Sequence, residues 1–357
     1  MRRDPKFETL EFRPARRLDV IDVRRILAAN GREPVTRYPR GLYVSYHTTA
    51  GYVDPRLSAR LDHDPEALRD FFQAFRTLFP PDAGYHHDQM ERREELSEEQ
   101  KSTEPRNADS HLTFIGAGMV SCVSYEQDDP QRPVWFVDLD GTNGPDRRRR
   151  RTSVIGYNEE ELVARESLEV PVSAHPVDSV NLRDDRVGFL EQLQERIRDY
   201  GITKGRLDVR LAPDERHAGL TVNEYETLLM KHDLGEVLRN PFHYMAEKGK
   251  HVLQDPRSVP GKTLSYAQYD GVQVLNKLMD LFGVSESVVE RLLNRMLAFP
   301  ASRFLRMKRG ISLPVMDEGE PGTGRIVEGT YQSPILVQWK KSHEGSRRME
   351  VSFVRFR

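Results

Sequence analysis

Four short apolar runs, "HLTFIG", "GMVSCVSYE", "RPVWFVDLD" and "RTSVIGY", follow one another between residues 111 and 157 with only short polar turns between them. Parallel neighbours need a crossover of about a dozen residues or more, so runs this closely spaced predict an antiparallel meander. A further strand is written in "GLYVSYHTTAGYVD", where Leu42, Val44 and Tyr46 alternate with Tyr43 and Ser45. Its apolar run stops at His47-Thr48-Thr49, which places an imidazole at a strand end. Helical spacing is equally plain in "LDVIDVRRILAANG", ending at Asn30-Gly31, and in "DPEALRDFFQAFRTLFP", with Pro65 in the first turn and Phe71, Phe72 and Phe75 on one face. The first half is therefore an α+β domain with a mostly antiparallel sheet.

The chain has 357 residues, room for about two domains. Between Asn158 and Asp185 the texture turns acidic and proline-bearing, so the expected division is a domain at 1–160, a linker at 161–185 and a second domain at 186–357. That second domain is expected to be mainly helical, on "VGFLEQLQERIRDYG", "TVNEYETLLMKH", "SYAQYDGVQVLNKLMDLFG" and "SESVVERLLNRMLAF". It closes with a β-hairpin, "GTYQSPILVQWKK" and "RRMEVSFVRFR" around "SHEGS". No repeat at a fixed period is visible.

Several function classes are set aside by composition. The net charge of −2 offers no global field for nucleic acid, so any anion must be held by a local cluster. No apolar run approaches the ~18–20 residues that span a bilayer, and the N-terminus lacks a signal core, so a cytoplasmic chain without membrane contact is expected. Cys122, the only cysteine, lies in an apolar run and reads as a buried inert thiol. The segment "EGEPGTGRIVEG" has glycines without the Lys-Ser/Thr ending of a P-loop.

The candidate chemistry lies in histidines at predicted element ends: His47, His86 and His87 in "AGYHHDQ", and His111 in "NADSHL". Imidazoles converging from separate elements suit a metal or acid-base site, and Asp88 and Asp109 are placed to orient them. The alternative is a histidine that caps a turn or fills a half-buried pocket. His217, His232, His243 and His251 show no ligand spacing and read as surface or capping residues. The run Arg147 to Arg151 has two readings, one presenting two arginines to a phosphate and the other forming a solvated edge. Thr48 and Thr49 either donate hydroxyls to the same anion or cap the turn.

Taken in order, "LDVIDVRRILAANG", "GLYVSYHTTAGYVD", "DPEALRDFFQAF", "YHHD", "NADSHLTFIGAG" and "DGTNGPDRRRRR" resemble the YjbQ (UPF0047) family over about residues 5–160. The resemblance implies a compact α/β sandwich, a homotrimer, and a pocket of histidines able to hold a divalent metal (Mg or Zn). Some members of that family have secondary thiamine-phosphate synthase activity. Carried onto this sequence, it implies catalytic and metal-binding roles for His47, His87 and His111. Substrate contacts fall to Asn107 and, on the anion-holding reading of the turn and the arginine run, to Thr48, Thr49, Arg147 and Arg148, and the substrate is a small phosphorylated molecule. The family's glutamate after the HTTA segment has no clear counterpart, with Asp54 and Asp62 as candidates, and its Leu-Gly-Thr-Trp-Gln strand is replaced by "RPVWFVDLD". The function implied is an enzyme of thiamine-phosphate synthase type. A non-catalytic binding or assembly module and a metal-dependent phosphoester hydrolase are the alternatives.

Overall fold

The computed structural model describes residues 4–29, 35–144, 146–240, 243–245, 305, 307–317 and 322–357. The chain forms two compact units, one made of Met1–Leu68, Gly118–Tyr225 and Met307–Arg357, the other of Arg69–Ala117 and Glu226–Arg306. The first unit opens with β1 (Lys6–Phe12), β2 (Asp19–Asp22), α1 (Val23–Ala29), β3 (Arg40–Ser45), β4 (Ala50–Tyr52) and α2 (Pro55–Arg60). Next come α3 (Pro65–Leu78), a 3₁₀ turn at Met90–Arg92, α4 (Glu98–Thr103) and α5 (Ala108–Ala117). The chain re-enters the first unit as β5 (Cys122–Glu126), β6 (Trp135–Asp138), the small hairpin β7 (Thr142–Asn143) and β8 (Asp146–Arg147), and β9 (Arg150–Tyr157). It continues through β10 (Glu160–Pro171), β11 (Asp178–Asn181), α6 (Phe189–Asp199), β12 (Gly205–Leu211) and β13 (Ala218–Asn223). A π-helical turn at Leu228–Asp233 and α7 (Leu234–Arg239) belong to the second unit; β14 (Gly310–Met316), β15 (Arg325–Ile326), β16 (Ser333–Gln338) and β17 (Ser346–Phe356) complete the first.

The strand orders disclose a duplication. One pair of sheets runs β1-β9-β3-β5 and β2-β6-β4; the other runs β10-β17-β12-β14, extended by β15, and β11-β16-β13. Replacing β1, β2, β3, β4, β5, β6 and β9 by β10, β11, β12, β13, β14, β16 and β17 turns the first pair into the second. All these pairings are antiparallel. The match extends to single bonds. Tyr52 bridges Val120 as Leu220 bridges Lys308, and Leu139 N–H reaches Thr49 O as Trp339 N–H reaches His217 O. Ala50-Gly51 and Ala218-Gly219 occupy the same places, opposite Asp138-Val137 and Gln338-Val337. Each repeat also sends its connection between the fourth and fifth strands, 69–117 and 226–306, into the second unit.

Burial explains the local structure. Asp22 starts α1 by accepting from Arg24 N–H (3.1 Å) and Arg25 N–H (3.3 Å). Val23 and Leu27 of α1 join Tyr43, Tyr52, Phe136 and Val154 in one buried cluster. In the second repeat Leu193 and Ile197 of α6 join Leu207, Val209 and Phe353. The fold class is thus α+β with mostly antiparallel sheets.

Several expectations are corrected. "HLTFIG" is helix, not strand: all ten residues of α5 are buried, and a helix buried on every side shows no amphipathic period. The strands do not form a meander, because β9 lies between β1 and β3. The stretch expected as a linker carries β10 and β11. Its alternating charges belong to an edge strand, where Arg165, Ser167 and Glu169 are exposed beside the Arg-bearing β17. The opening of "TVNEYETLLMKH" finishes β13 before the π turn begins. The chain does end in strands, but β16 and β17 pair in different sheets rather than as a hairpin. The described part of 186–357 holds more strand than helix; the helices expected at 265–283 and 285–299, and His251, lie outside the described residues. Among the described residues no helix is long and apolar enough to cross a membrane.

Candidate functional site

The turn between β3 and β4 carries His47, Thr48 and Thr49, and its three carbonyls are all held from the protein side. Gln332 Nε2 donates to His47 O (2.8 Å) and Ser45 O (3.0 Å), Asn223 Nδ2 donates to Thr48 O (2.9 Å), and Leu139 N–H donates to Thr49 O (3.1 Å). Both clamping amides come from the second repeat, and both are buried. Gly329 lets the two loops meet, since a Cβ there would lie 2.0 Å from Tyr46 O; its N–H donates to Gln332 Oε1 (2.8 Å) and fixes that side chain. In a trans peptide the C=O and the next N–H point opposite ways. Holding the carbonyls of His47 and Thr48 therefore turns the amides of Thr48 and Thr49 away from the clamping side chains, with Thr48 half-buried and Thr49 buried, and neither amide has a partner among the described residues. Two such successive amides form an anion-binding concavity.

His47 sits beside them as an acceptor, its Nε2 taking the N–H of Arg151 (2.8 Å). Nδ1 therefore carries the proton and points a donor away from Arg151. Burial, then the charge of Arg150, with Arg148 and Arg151 adding to it, hold the imidazole pKa down at about 3.

The depressed pKa has a pH consequence. The unfolded chain takes up a proton at His47 near its ordinary value of 6.5, while the folded chain resists until about 3. The contribution to stability is complete above pH 6.5 and is lost as the pH falls from there toward 3, by up to about 1.4 kcal/mol per pH unit. His47→Gln is expected to lose less stability than the parent between pH 6.5 and 4 in urea titrations. Parallel curves for the two proteins would remove His47 from the pH response.

The arginine run is largely engaged by the chain itself. Arg150 is buried and forks onto Asp138 (Nε–Oδ2 2.5 Å, Nη2–Oδ1 2.8 Å), reaching Asp140 O as well. Arg147 donates to the carbonyls of Pro14 and Arg13, Arg148 pairs with Asp140 (2.7 Å), and Arg149 pairs with Glu11. Arg151 differs. It is exposed, lies 4.5 Å over the Tyr46 ring and has no carboxylate partner among the described residues. Thr49 Oγ1 is 3.4 Å from Arg150 Nη2.

The second unit brings together His87, Asn107 and His111. His87 is fully buried, its Nδ1 3.1 Å from Glu226 Oε2 and its Nε2 3.4 Å from Asn107 Oδ1. The His87 and His111 rings are 5.2 Å apart. Asp88 ties "YHHD" to "NADSHL" by accepting from Ala108 N–H at the start of α5 (3.1 Å). Asp233 accepts from the His86 and His87 amides and from Tyr244 Oη. His86 is the more exposed of the two histidines, one third open at its side chain. Burial works against the charge of Glu226, the carboxylate partner of His87, but His87 and the Leu228 and Leu229 amides outweigh it and hold the group below the usual carboxylate range.

These contacts bear on the expected metal. The Nε2 lone pair of His47 is engaged, both ring nitrogens of His87 face oxygen partners, and no three His, Cys, Asp or Glu side chains group as ligands among the described residues. The described residues thus show no ready-made ligand set for a divalent ion. Asp54, a candidate for the missing acid, instead caps α2 and pairs with Lys308 (3.0 Å). Asp62 occupies a left-handed turn position. Sequence reasoning missed Asn223, Glu226 and Gln332. The signal that could have found the first two is "AGLTVNEYE", whose Ala-Gly repeats that of "HTTAGYV".

No protein-family model matches the sequence, and no curated protein does. Among solved structures the chain is similar to a YbjQ-like protein of unknown function from Sulfolobus solfataricus P2, at 16% identity over 55% of this chain and 99% of that one, with a TM-score of 0.29. It is also similar to a hypothetical protein from Aeropyrum pernix K1, at 15% identity over 53% and 97%, TM-score 0.27. A third is an uncharacterized conserved protein of the YjbQ/UPF0047 family from Clostridium acetobutylicum, at 14% identity over 54% and 99%, TM-score 0.26.

Proposed function

We propose that the His47–Thr49 turn is the anion seat of a protein that handles a small phosphorylated molecule. One observation carries this reading: the carbonyls of residues 47–49 are all held by the protein, which leaves the Thr48 and Thr49 amides unpartnered among the described residues beside a neutral imidazole. Backbone amides, the Nδ1–H of His47 and the guanidinium of Arg151 are all donors, and together they suit phosphoryl oxygens. The arginine serving the anion is then Arg151 rather than Arg147, whose guanidinium donates to the carbonyls of Pro14 and Arg13, or Arg148, whose guanidinium pairs with Asp140. His47 donates a hydrogen bond and not a proton, since its imidazole stays neutral across the physiological range.

The reaction implied by the sequence resemblance joins a pyrimidine-methyl pyrophosphate to a thiazole phosphate. The carbon–oxygen bond to pyrophosphate breaks and pyrophosphate leaves as an anion, which these amides and a guanidinium would stabilise. One observation favours a non-catalytic binding module instead: His87 is wholly buried with both ring nitrogens engaged, which leaves it no part in proton transfer. Calorimetry with pyrophosphate at low salt tests the seat. Arg151→Ser is expected to weaken binding by roughly tenfold, the scale of one charge-assisted hydrogen bond. Undiminished affinity in that variant would overturn the assignment, and turnover assays on the parent separate enzyme from binding module.

A further inference from the structure

The second repeat rebuilds the same turn at Glu215, Arg216 and His217, which take the places of His47, Thr48 and Thr49. Its carbonyls are again held inward: Arg309 Nη1 donates to Glu215 O (2.6 Å), Arg347 Nη1 to Arg216 O (2.9 Å) and Trp339 N–H to His217 O (2.9 Å). By the peptide-plane argument the amides of Arg216 and His217 face outward, and neither has a partner among the described residues. His217 adopts a left-handed backbone (φ 60°), the conformation that curls successive amides into an anion-binding nest. The framework behind the turn is repeated too. Arg347 is buried and reaches Gln338 Oε1 and Lys340 O, as Arg150 reaches Asp138 and Asp140 O, while Arg348 N–H donates to Glu215 Oε1 (2.9 Å), as Arg151 N–H donates to His47 Nε2.

Around this turn lies a cavity of about 440 Å³. Three acids line it, Asp214, Glu215 and Glu344, and the first two are paired, with Arg348 (2.5 Å) and Arg347 (2.8 Å). Arg216, Lys340 and Lys341 reach the same cavity and have no carboxylate partner among the described residues. His217 is held below its ordinary pKa by partial burial and by Lys340, Arg347 and Arg216 in turn.

We infer that the Glu215–His217 turn, with Lys340 and Lys341, is a second anion site that takes a phosphoryl-bearing small molecule, separate from the His47 seat. Nothing in the sequence resemblance assigns it, because the resemblance stops at about residue 160. The two lysines provide here the cationic donors that Arg151 provides in the first repeat.

Pyrophosphate stoichiometry tests this in the full chain. Calorimetry at low salt is expected to show two ions per chain for the parent, one for Lys340→Ser/Lys341→Ser, and one for His47→Ala/Arg151→Ser. The lysines are exposed, so the serine variant keeps its melting transition, which circular dichroism checks. Two ions still bound by the lysine variant would overturn the second site. One ion on the parent, lost in the lysine variant and kept in the His47/Arg151 variant, would uphold the second site and sink the first. No binding by the parent would sink both.

Discussion

Asp138→Gln is expected to destabilise the chain by about 3–5 kcal/mol, the usual result of leaving a buried charge unpaired. Asp138 is 0% exposed and Arg150 5%, and the two carboxylate oxygens take the Nε and Nη2 donors of that guanidinium. The second repeat already holds the glutamine, Gln338, at the same strand position. It keeps its buried Arg347 because a carboxylate arrives from elsewhere: Glu215, on the turn position that His47 occupies in the first repeat. The two repeats thus balance one buried arginine with one acid, placed on the strand in one and on the turn in the other. Adding His47→Glu to Asp138→Gln should therefore recover most of the lost stability, although His47→Glu alone sets a second carboxylate beside the pair. Urea midpoints of the three variants decide the matter. A single variant as stable as the parent, or a double variant no better than the single, would break the equivalence at the level of charge.

That equivalence was not legible in the amino-acid sequence, for a physical reason. Strand pairing is made by backbone groups, so two repeats can keep every partner while sharing little beyond Ala50-Gly51 and Ala218-Gly219. What the residues did show was whatever depends on side-chain period: β3 with its histidine end, α3 with its aromatic face, and the terminal strands. Where burial is complete the period vanishes, and α5, wrapped on all sides, was indistinguishable from a strand. The charged alternation of β10 looked like a linker because an edge strand turns half of its side chains to water. The site was legible in part for a similar reason. His47, Thr48 and Thr49 are announced by a strand that stops, and His87, Asn107 and His111 do share one buried cluster. Asn223 and Gln332 could not be foreseen, since they act on carbonyls that no sequence pattern reports.

Gln332→Ala should have the largest effect on the His47 seat of any change that leaves its donors in place. The Gln332 side chain is 2% exposed and joins three backbone groups: it donates to Ser45 O and His47 O and accepts from Gly329 N–H. Truncation strands those groups away from water, which costs roughly 1–3 kcal/mol for each buried group left unpaired. More to the point, a released His47 carbonyl lets its peptide plane rotate, and the Thr48 N–H rotates with it. Pyrophosphate affinity is then expected to fall by about tenfold to a hundredfold, the equivalent of one or two anion-facing hydrogen bonds. Gln332→Glu separates geometry from packing. It keeps the shape and can still accept from Gly329, but it sets carboxylate oxygens against the carbonyls of Ser45 and His47, which repel it. Both variants should lose affinity at the His47 seat while the second ion, at Lys340 and Lys341, stays bound. Full affinity at the first seat in Gln332→Ala, alongside a lowered melting temperature, would show that Gln332 only packs the loop and that the Thr48 amide does not need its clamp.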